Sequence, residues 1–447
     1  MSMLYLKVYF FASALYTSLI STVAIWSLAR VGKNYLFWLV VSCLLTFYLL
    51  LQLCCWYLFC KRMPCERTLC RSVIRAGHSP AGHSPAKPAL TVTACRIILI
   101  SLCLTLSVWW MERCSFFIFG AWEGGPFFQP LIFLDELYLV RIILQHFGPF
   151  ITLFLLHLGF VCSLHLSTFH CFRPARCILF LCVVIMGLEF VVRLWVCRAS
   201  RPVWLDRCCV IRPAWVPGAR CFPRLVVDEI AAQFAERVLT DPGRDLIFLP
   251  ESALPFSLVD SAVAYAAISA LSTGRWIFLG TYRRAASDGE PVMFNAALCM
   301  ADGNVALCHD KSHGMPGLER LPPLFATPAV CAGLSPVIGS GFFAQAHPSE
   351  GPVLGEQLLS VPGEGGAELS FSMLICSELF YRYRAPAGDP DTVIVALVND
   401  AWFAHTPLPA LLWRIAGCKA CAWRRQILYI SYEYAGLFAK DGSWFSL

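Results

Sequence analysis

The sequence predicts two structural classes in series: a multi-span α-helical membrane domain over 1–200, then an α/β domain over 205–447. Three observations predict this. Apolar residues make up 58% of the 447 and charged residues only 14%, far from the average of a soluble protein. The early part of the chain holds apolar runs of 20 or more residues with very few charges. From about 205 the texture changes to short apolar strands interleaved with stretches of helical periodicity, which suggests a layered α/β unit.

The runs 8–29, 36–59, 97–119, 142–166 and 177–197 are the predicted spans. Each is long enough to cross a roughly 30 Å hydrocarbon core as helix. Residues 120–140 are interrupted by Gly124, Gly125, Pro126 and Pro130, and read as re-entrant or as a sixth span. The first run is too long for a cleaved signal peptide, and more spans follow it. The loop 60–96 carries Lys61, Arg62, Arg67, Arg71, Arg75, Lys87 and Arg96 against the single acid Glu66. By the positive-inside tendency that loop is cytoplasmic, so five spans deliver everything after residue 198 to the outer face. The basic loop reads as a solvated linker held at anionic lipid rather than as a nucleic-acid site, and its tandem AGHSPAGHSPA (76–86) as a flexible tether. Glu189 and Arg193, four apart on the last span, read as an intrahelical pair.

Of 23 cysteines, 16 precede residue 217, mostly within or beside apolar runs, where a thiol behaves as a small hydrophobe. No disulfide framework is evident. The pairs Cys54–Cys55, Cys208–Cys209 and Cys418–Cys421 lack the second ligand pair that a zinc site needs.

In the α/β part, CVIRPAW (209–215) and DLIFLP (245–250) read as buried strands with a helix over 224–240 between them. A helix over 257–272 and a strand RWIFLGTY (275–282) follow. FNAALCM (294–300) and NVALCHD (304–310) flank the turn Ala301-Asp302-Gly303 and predict a hairpin. FSMLIC (371–376) and TVIVALVND (392–400) are further strands, and 409–427 is a helix. The turn Lys440-Asp441-Gly442 should lead into a strand, yet the chain stops at Leu447, so the C-terminal end of the domain reads as short.

Three blocks here carry chemistry. Glu251 ends the strand LIFLP between Pro250 and Pro255; a carboxylate beside apolar walls has its protonated form favoured and can exchange a proton with a thiol. Lys311 follows a strand, and its ammonium suits the charge that develops on a carbonyl oxygen; Glu319, eight residues on, is placed to buttress it. Cys376 closes an apolar strand, where a sulfur can project from the sheet edge. A base, a cation and a sulfur nucleophile suffice for acyl transfer through a thioester, with no metal or organic cofactor.

These blocks resemble the nitrilase (carbon–nitrogen hydrolase) superfamily, and within it the apolipoprotein N-acyltransferase family. The resemblance rests on Leu249-Pro250-Glu251-Ser252-Ala253-Leu254-Pro255, then Phe294-Asn295-Ala296-Ala297 with Asp302-Gly303. It continues through His309-Asp310-Lys311, Met315-Pro316-Gly317-Leu318-Glu319, Ile375-Cys376-Ser377-Glu378 and Val398-Asn399-Asp400-Ala401-Trp402-Phe403. Multiple spans ahead of such a domain also fit that family. The chain departs from the family pattern at Ser377, where a tyrosine is usual, and over 411–422, where a histidine and a glutamate are missing.

The resemblance implies a nitrilase-like αββα sandwich, with Cys376 as nucleophile, Glu251 as general base and Lys311 as oxyanion stabiliser. Glu319 and Glu378 would be supporting carboxylates, and Trp402 and Phe403 would line the substrate path. It further implies an acyl chain moved from a phospholipid to the N-terminal amine of a diacylglyceryl-cysteine apolipoprotein. The setting would be the bacterial inner membrane, with the catalytic domain on the periplasmic face. The rival readings are a membrane-tethered amidase and a catalytically silent paralogue that only binds.

Overall fold

The computed structural model describes residues 199–214, 222–241, 243–287, 290–314, 358–363, 366–381, 385–386, 388–404 and 408–447, with scattered positions between 98 and 159. The runs 8–29, 36–59 and 177–197, the basic loop 60–96 and the stretch 120–140 therefore lie outside the described residues. The runs 97–119 and 142–166 are described only at isolated positions, all of them helical. Among the described residues no helix is long and apolar enough to cross a membrane.

The α/β part is built on two sheets. The first has the order β1 (Cys208–Val210), β2 (Leu246–Phe248), β3 (Trp276–Ser287), β4 (Glu290–Ala301), β5 (Asn304–Asp310). Its strands β1 to β3 are parallel, and β4 and β5 complete it as an antiparallel meander. The second sheet contains β6 (Leu359–Pro362), β7 (Glu368–Ile375), β8 (Val393–Leu397), β9 (Ile427–Ile430), β10 (Ala435–Phe438) and β11 (Trp444–Ser446), in sequence order. Here β7, β8 and β9 are parallel, while β6, β10 and β11 pair antiparallel at the two edges.

Alternation of side chains along each strand assigns the two faces. Cys208, Val210, Leu246, Phe248, Phe278, Ala297 and Cys299 point from the first sheet into a core shared with Phe371 and Met373 of the second. Phe278 joins the layers, stacked on Phe248 at 4.8 Å and edge-on to Phe371 at 5.4 Å between ring centroids. The alternate set, Cys209, Ile247, Leu249, Ile277, Leu279, Leu298 and Met300, faces the opposite side. There it packs on α1 (Pro223–Arg237) and α2 (Ala262–Leu271) through Val227, Ile230, Phe234, Ala264 and Ile268. Pro223 starts α1, where its missing N–H costs nothing, and Ser261 caps α2 by accepting from the Ala264 amide. A short α3 (Ser377–Tyr381) leaves β7, and α4 (Leu408–Trp423) covers the outer face of the second sheet through an aromatic group of Trp413, Tyr434, Phe438 and Trp444. The order of layers is thus helix, sheet, sheet, helix.

Several boundaries differ from the expectation, each for a local reason. The second helix begins at Ala262 rather than 257, because 257–261 are spent on the approach from the Glu251 loop, with Ser257 bridged to Tyr282. The helix expected over 409–427 ends at Trp423: Arg424 takes a φ of 54°, and Ile427 already belongs to β9. A strand follows the turn at 440–442 where none was expected: Gly442 takes a φ of 77°, and Trp444–Ser446 pair on β10 as β11. The Asp302-Gly303 turn is as read, with both residues at positive φ, the geometry that matches hairpin twist.

Candidate active site

The strand exits are where the site is assembled. Glu251 leaves β2, Lys311 leaves β5, Cys376 leaves β7 and Asn399 leaves β8, all at carboxyl ends of strands, where open α/β sheets collect their ligands.

Glu251 is 4% exposed and Lys311 3%. The Lys311 ammonium donates to Glu251 Oε1 at 2.8 Å, and Asn295 Nδ2, from β4, donates to the same oxygen at 2.7 Å. The other oxygen, Oε2, accepts the backbone N–H of Asn399 at 2.9 Å, so this carboxylate spans the two sheets. The Lys311 amide is itself pinned to the Asn295 carbonyl at 2.8 Å. Beside it, Asp310 accepts Arg283 Nε at 2.9 Å, with a second contact from the same guanidinium. A buried ion pair is worth keeping only when its remaining valences are met, and here two amide donors meet them.

The backbone around Glu251 is held in an unusual shape. Ser252 has a φ of 54°, and Gly280 on β3 lies so close that a Cβ there would meet Glu251 Cα and the Ser252 amide at 2.5 Å. Only glycine admits that approach. Cys376 is likewise left-handed, with a φ of 44°, just beyond the end of β7 rather than within the strand. Each such residue costs on the order of 1–3 kcal/mol and persists only where its surroundings impose it. Around Cys376 they do: its amide donates to the Leu397 carbonyl at 2.8 Å, and its carbonyl accepts Leu379 at 3.1 Å. That amide is therefore occupied within the fold. The Cys376 side chain is buried, and none of the seven described cysteines is in a disulfide.

Glu378 makes the reverse crossing, from the second sheet to the first. Its Oε1 accepts the Ser312 amide at 2.8 Å and the Ser312 hydroxyl at 2.6 Å. Its Oε2 accepts the Ile375 amide at 2.8 Å and meets His309 Nε2 at 2.7 Å. Burial alone would raise its pKa, but the imidazole and the Ser312 donors outweigh that and hold it at about 2. Ser377, where the pattern has tyrosine, donates to the His313 carbonyl at 2.5 Å. Trp402 is 38% exposed on the single turn Ala401–Phe403, and Phe403 is buried in the core. Glu319 lies outside the described residues.

The structure thus brings Glu251 and Lys311 into contact and sets Cys376 just past the end of β7, beside the β8 exit that carries Asn399. Asn295, Asn399, His309, Ser312 and Gly280 are the partners that sequence reasoning left without a role. The two asparagines stand inside the matched blocks, so their position was visible although their purpose was not. Among the described residues no group of three or more His, Cys, Asp or Glu side chains is placed to hold a metal ion.

Two sheets face to face between helices, with a buried Glu–Lys pair and a cysteine at the strand exits, define an αββα domain with one candidate site at the carboxyl ends of its strands. The particular relatives are apolipoprotein N-acyltransferases. The chain is 31% identical over 186 residues to the one from Brucella suis biovar 1, covering 40% of this chain and 32% of that protein. It is 29% identical over 171 residues to the one from Rhizobium leguminosarum bv. trifolii, covering 37% and 30%. The matched part therefore spans about a third of the length of these curated relatives. No family model matches the sequence. Among solved structures, similarity is found to a carbon–nitrogen hydrolase from Helicobacter pylori G27 at 13% identity and TM-score 0.35, covering 53% of this chain and 82% of that one. An amidase from Nesterenkonia sp. gives 13% identity and TM-score 0.33, covering 53% and 83%.

Proposed function

We propose that the chain is a membrane N-acyltransferase that moves a fatty acyl group from a phospholipid to the N-terminal amine of a diacylglyceryl-cysteine apolipoprotein, by way of a thioester on Cys376. The observation that carries this reading is the buried Glu251–Lys311 contact, completed by the Asn399 amide from the strand beside Cys376. Its support from relatives is the similarity to apolipoprotein N-acyltransferases.

In the first half-reaction the Cys376 thiol gives its proton to Glu251 as sulfur attacks the ester carbonyl carbon. Lys311 faces the resulting oxyanion. Collapse breaks the ester C–O bond, and the departing lysophospholipid alkoxide takes the proton back from Glu251, leaving the thioester. In the second half-reaction the amine attacks the thioester carbonyl and gives a proton to Glu251. Collapse then breaks the C–S bond, forms the amide, and returns the proton to sulfur. Glu378 keeps the Cys376 and Lys311 segments in register, and Trp402 borders the acyl path, while Phe403 packs in the core beside it. The apolar runs upstream of residue 198 anchor this domain on the outer face of a bacterial inner membrane, where both lipids arrive laterally.

The test is mass spectrometry of the purified full chain after incubation with phospholipid. An acyl adduct on the Cys376 peptide is expected, absent in Cys376→Ser and discharged by a diacylated lipopeptide to a triacylated product. An adduct discharged only to water replaces the transferase with an amidase. No adduct at all overturns both enzymatic readings in favour of a silent, lipid-binding paralogue.

A further inference from the structure

The exit of β8 is a crossroads, and one buried acid holds it. At this exit the Leu397 carbonyl accepts the Cys376 amide, the Val398 amide donates to the Ile430 carbonyl at 2.8 Å, and the Asn399 amide donates to Glu251. The next residue, Asp400, is fully buried. Its Oδ2 accepts the Ser431 hydroxyl at 2.6 Å, and its Oδ1 accepts the amides of Tyr432 at 2.9 Å and Glu433 at 3.3 Å. The turn it grips is rigid in turn: Ser431 exchanges hydrogen bonds with Tyr434, and its carbonyl accepts Arg212 Nε at 2.8 Å. Arg212 stands at the exit of β1, so the clamp reaches the first sheet as well. The charged and titratable groups around Asp400 are Arg212, Glu433 and Tyr429.

We propose that Asp400 is a positioning residue for the Glu251 carboxylate: by clamping the exit of β8 to the turn 431–433, it holds the Asn399 amide where Glu251 Oε2 accepts it. The inference rests on Glu251 serving as the base for Cys376, but not on any particular acyl donor or acceptor. Asp400 touches no reacting atom. Without the clamp the 399 peptide is free to rotate, and Glu251 loses one of the donors to its ionised form.

The experiment uses the full chain with p-nitrophenyl acetate as a generic acyl donor, reading the nitrophenolate burst as Cys376 is acylated. In Asp400→Ala the burst rate is expected to fall about 10- to 100-fold at unchanged half-saturation. The acid limb of its pH profile should move to higher pH. Asp400→Asn keeps an oxygen for the two amides and an N–H for Ser431 Oγ, and should stay within about threefold of wild type with the limb unmoved. Should Asp400→Ala not fold, Ser431→Ala decides, with a smaller slowing of about 3- to 10-fold and a limb shifted in the same direction. A burst of reduced amplitude at the wild-type rate and limb would mean a merely structural role and overturn the proposal. So would unchanged kinetics. A wild-type chain with no Cys376-dependent burst instead overturns the reading of Glu251, Lys311 and Cys376 themselves.

Discussion

Glu378 and Asp400 are two fully buried carboxylates at the exits of neighbouring strands of one sheet, and their environments push them in opposite directions. Desolvation raises both. For Glu378 the His309 imidazole and the Ser312 donors more than reverse it, and the carboxyl is held at about 2. For Asp400 the Ser431 hydroxyl and two amides offset it only in part, Glu433 adds repulsion, and the carboxyl is pushed up to about 6. The lesson is that burial does not set the sign of a shift. The balance of its hydrogen-bonding and charged partners does: Glu378 has the His309 imidazole and the Ser312 donors, whereas Asp400 has Glu433 against it.

The largest test of this contrast is Glu378→Ala, which strands the Ile375 amide and both Ser312 donors in the interior. Loss of about 3–5 kcal/mol of stability is expected, read by urea unfolding with tryptophan fluorescence. A loss below about 1 kcal/mol would show that the crossing from β7 to β5 is not what joins the sheets here. Asp400→Asn comes next, with the opposite sign. A folded pKa of about 6 against an ordinary 3.8 means that stability is fully present below 3.8 and is lost as pH rises through 6. The asparagine should therefore be more stable than wild type above pH 6, by up to about 3 kcal/mol, and no different near pH 3. Equal stabilities at pH 7.5 would remove the desolvation cost from the account.

His309→Phe is the finest of the three. Glu378 contributes stability that is present above its ordinary 4.5 and lost as pH falls toward 2. Without the imidazole its carboxyl should move up toward the value of Asp400. The acid-side loss should then begin at higher pH, at a cost of about 1.5–3 kcal/mol at neutral pH. An acid unfolding curve that does not move would assign the depression to Ser312 and the backbone alone.

Much of the α/β part was legible in the sequence alone. β2, β5 and β8 fall within three residues of their predicted spans, because each is a short apolar run closed by proline, glycine or a polar residue, whereas β3 starts where expected and runs five residues past 282. The hairpin at Asp302-Gly303 was equally plain, since few other pairs accept two positive φ angles. β9, β10 and β11 were missed for a physical reason: ILYI and AGLF are continuous apolar segments whose helix or strand identity periodicity cannot separate, and α4 runs almost into them.

The candidate site divides along the same line. Glu251, Lys311 and Cys376 were singled out by the order of their blocks and the family resemblance, since each residue taken alone has a commoner, structural reading. Which groups hold them was not. Asn399 donates to Glu251 from 148 positions away, Ser312 and His309 reach Glu378 across 66 and 69, and Gly280 matters only because the Glu251 backbone lies against it. By itself the sequence determined the strands, the apolar faces and the identity of the chemical groups, because these follow from the side chain and its immediate neighbours. The left-handed turns at Ser252 and Cys376, the pairing of each carboxylate with the opposite sheet, and the sign of each buried charge's shift were decided only by tertiary structure. These depend on which donors and cations arrive from elsewhere in the chain, and burial makes every such arrival count.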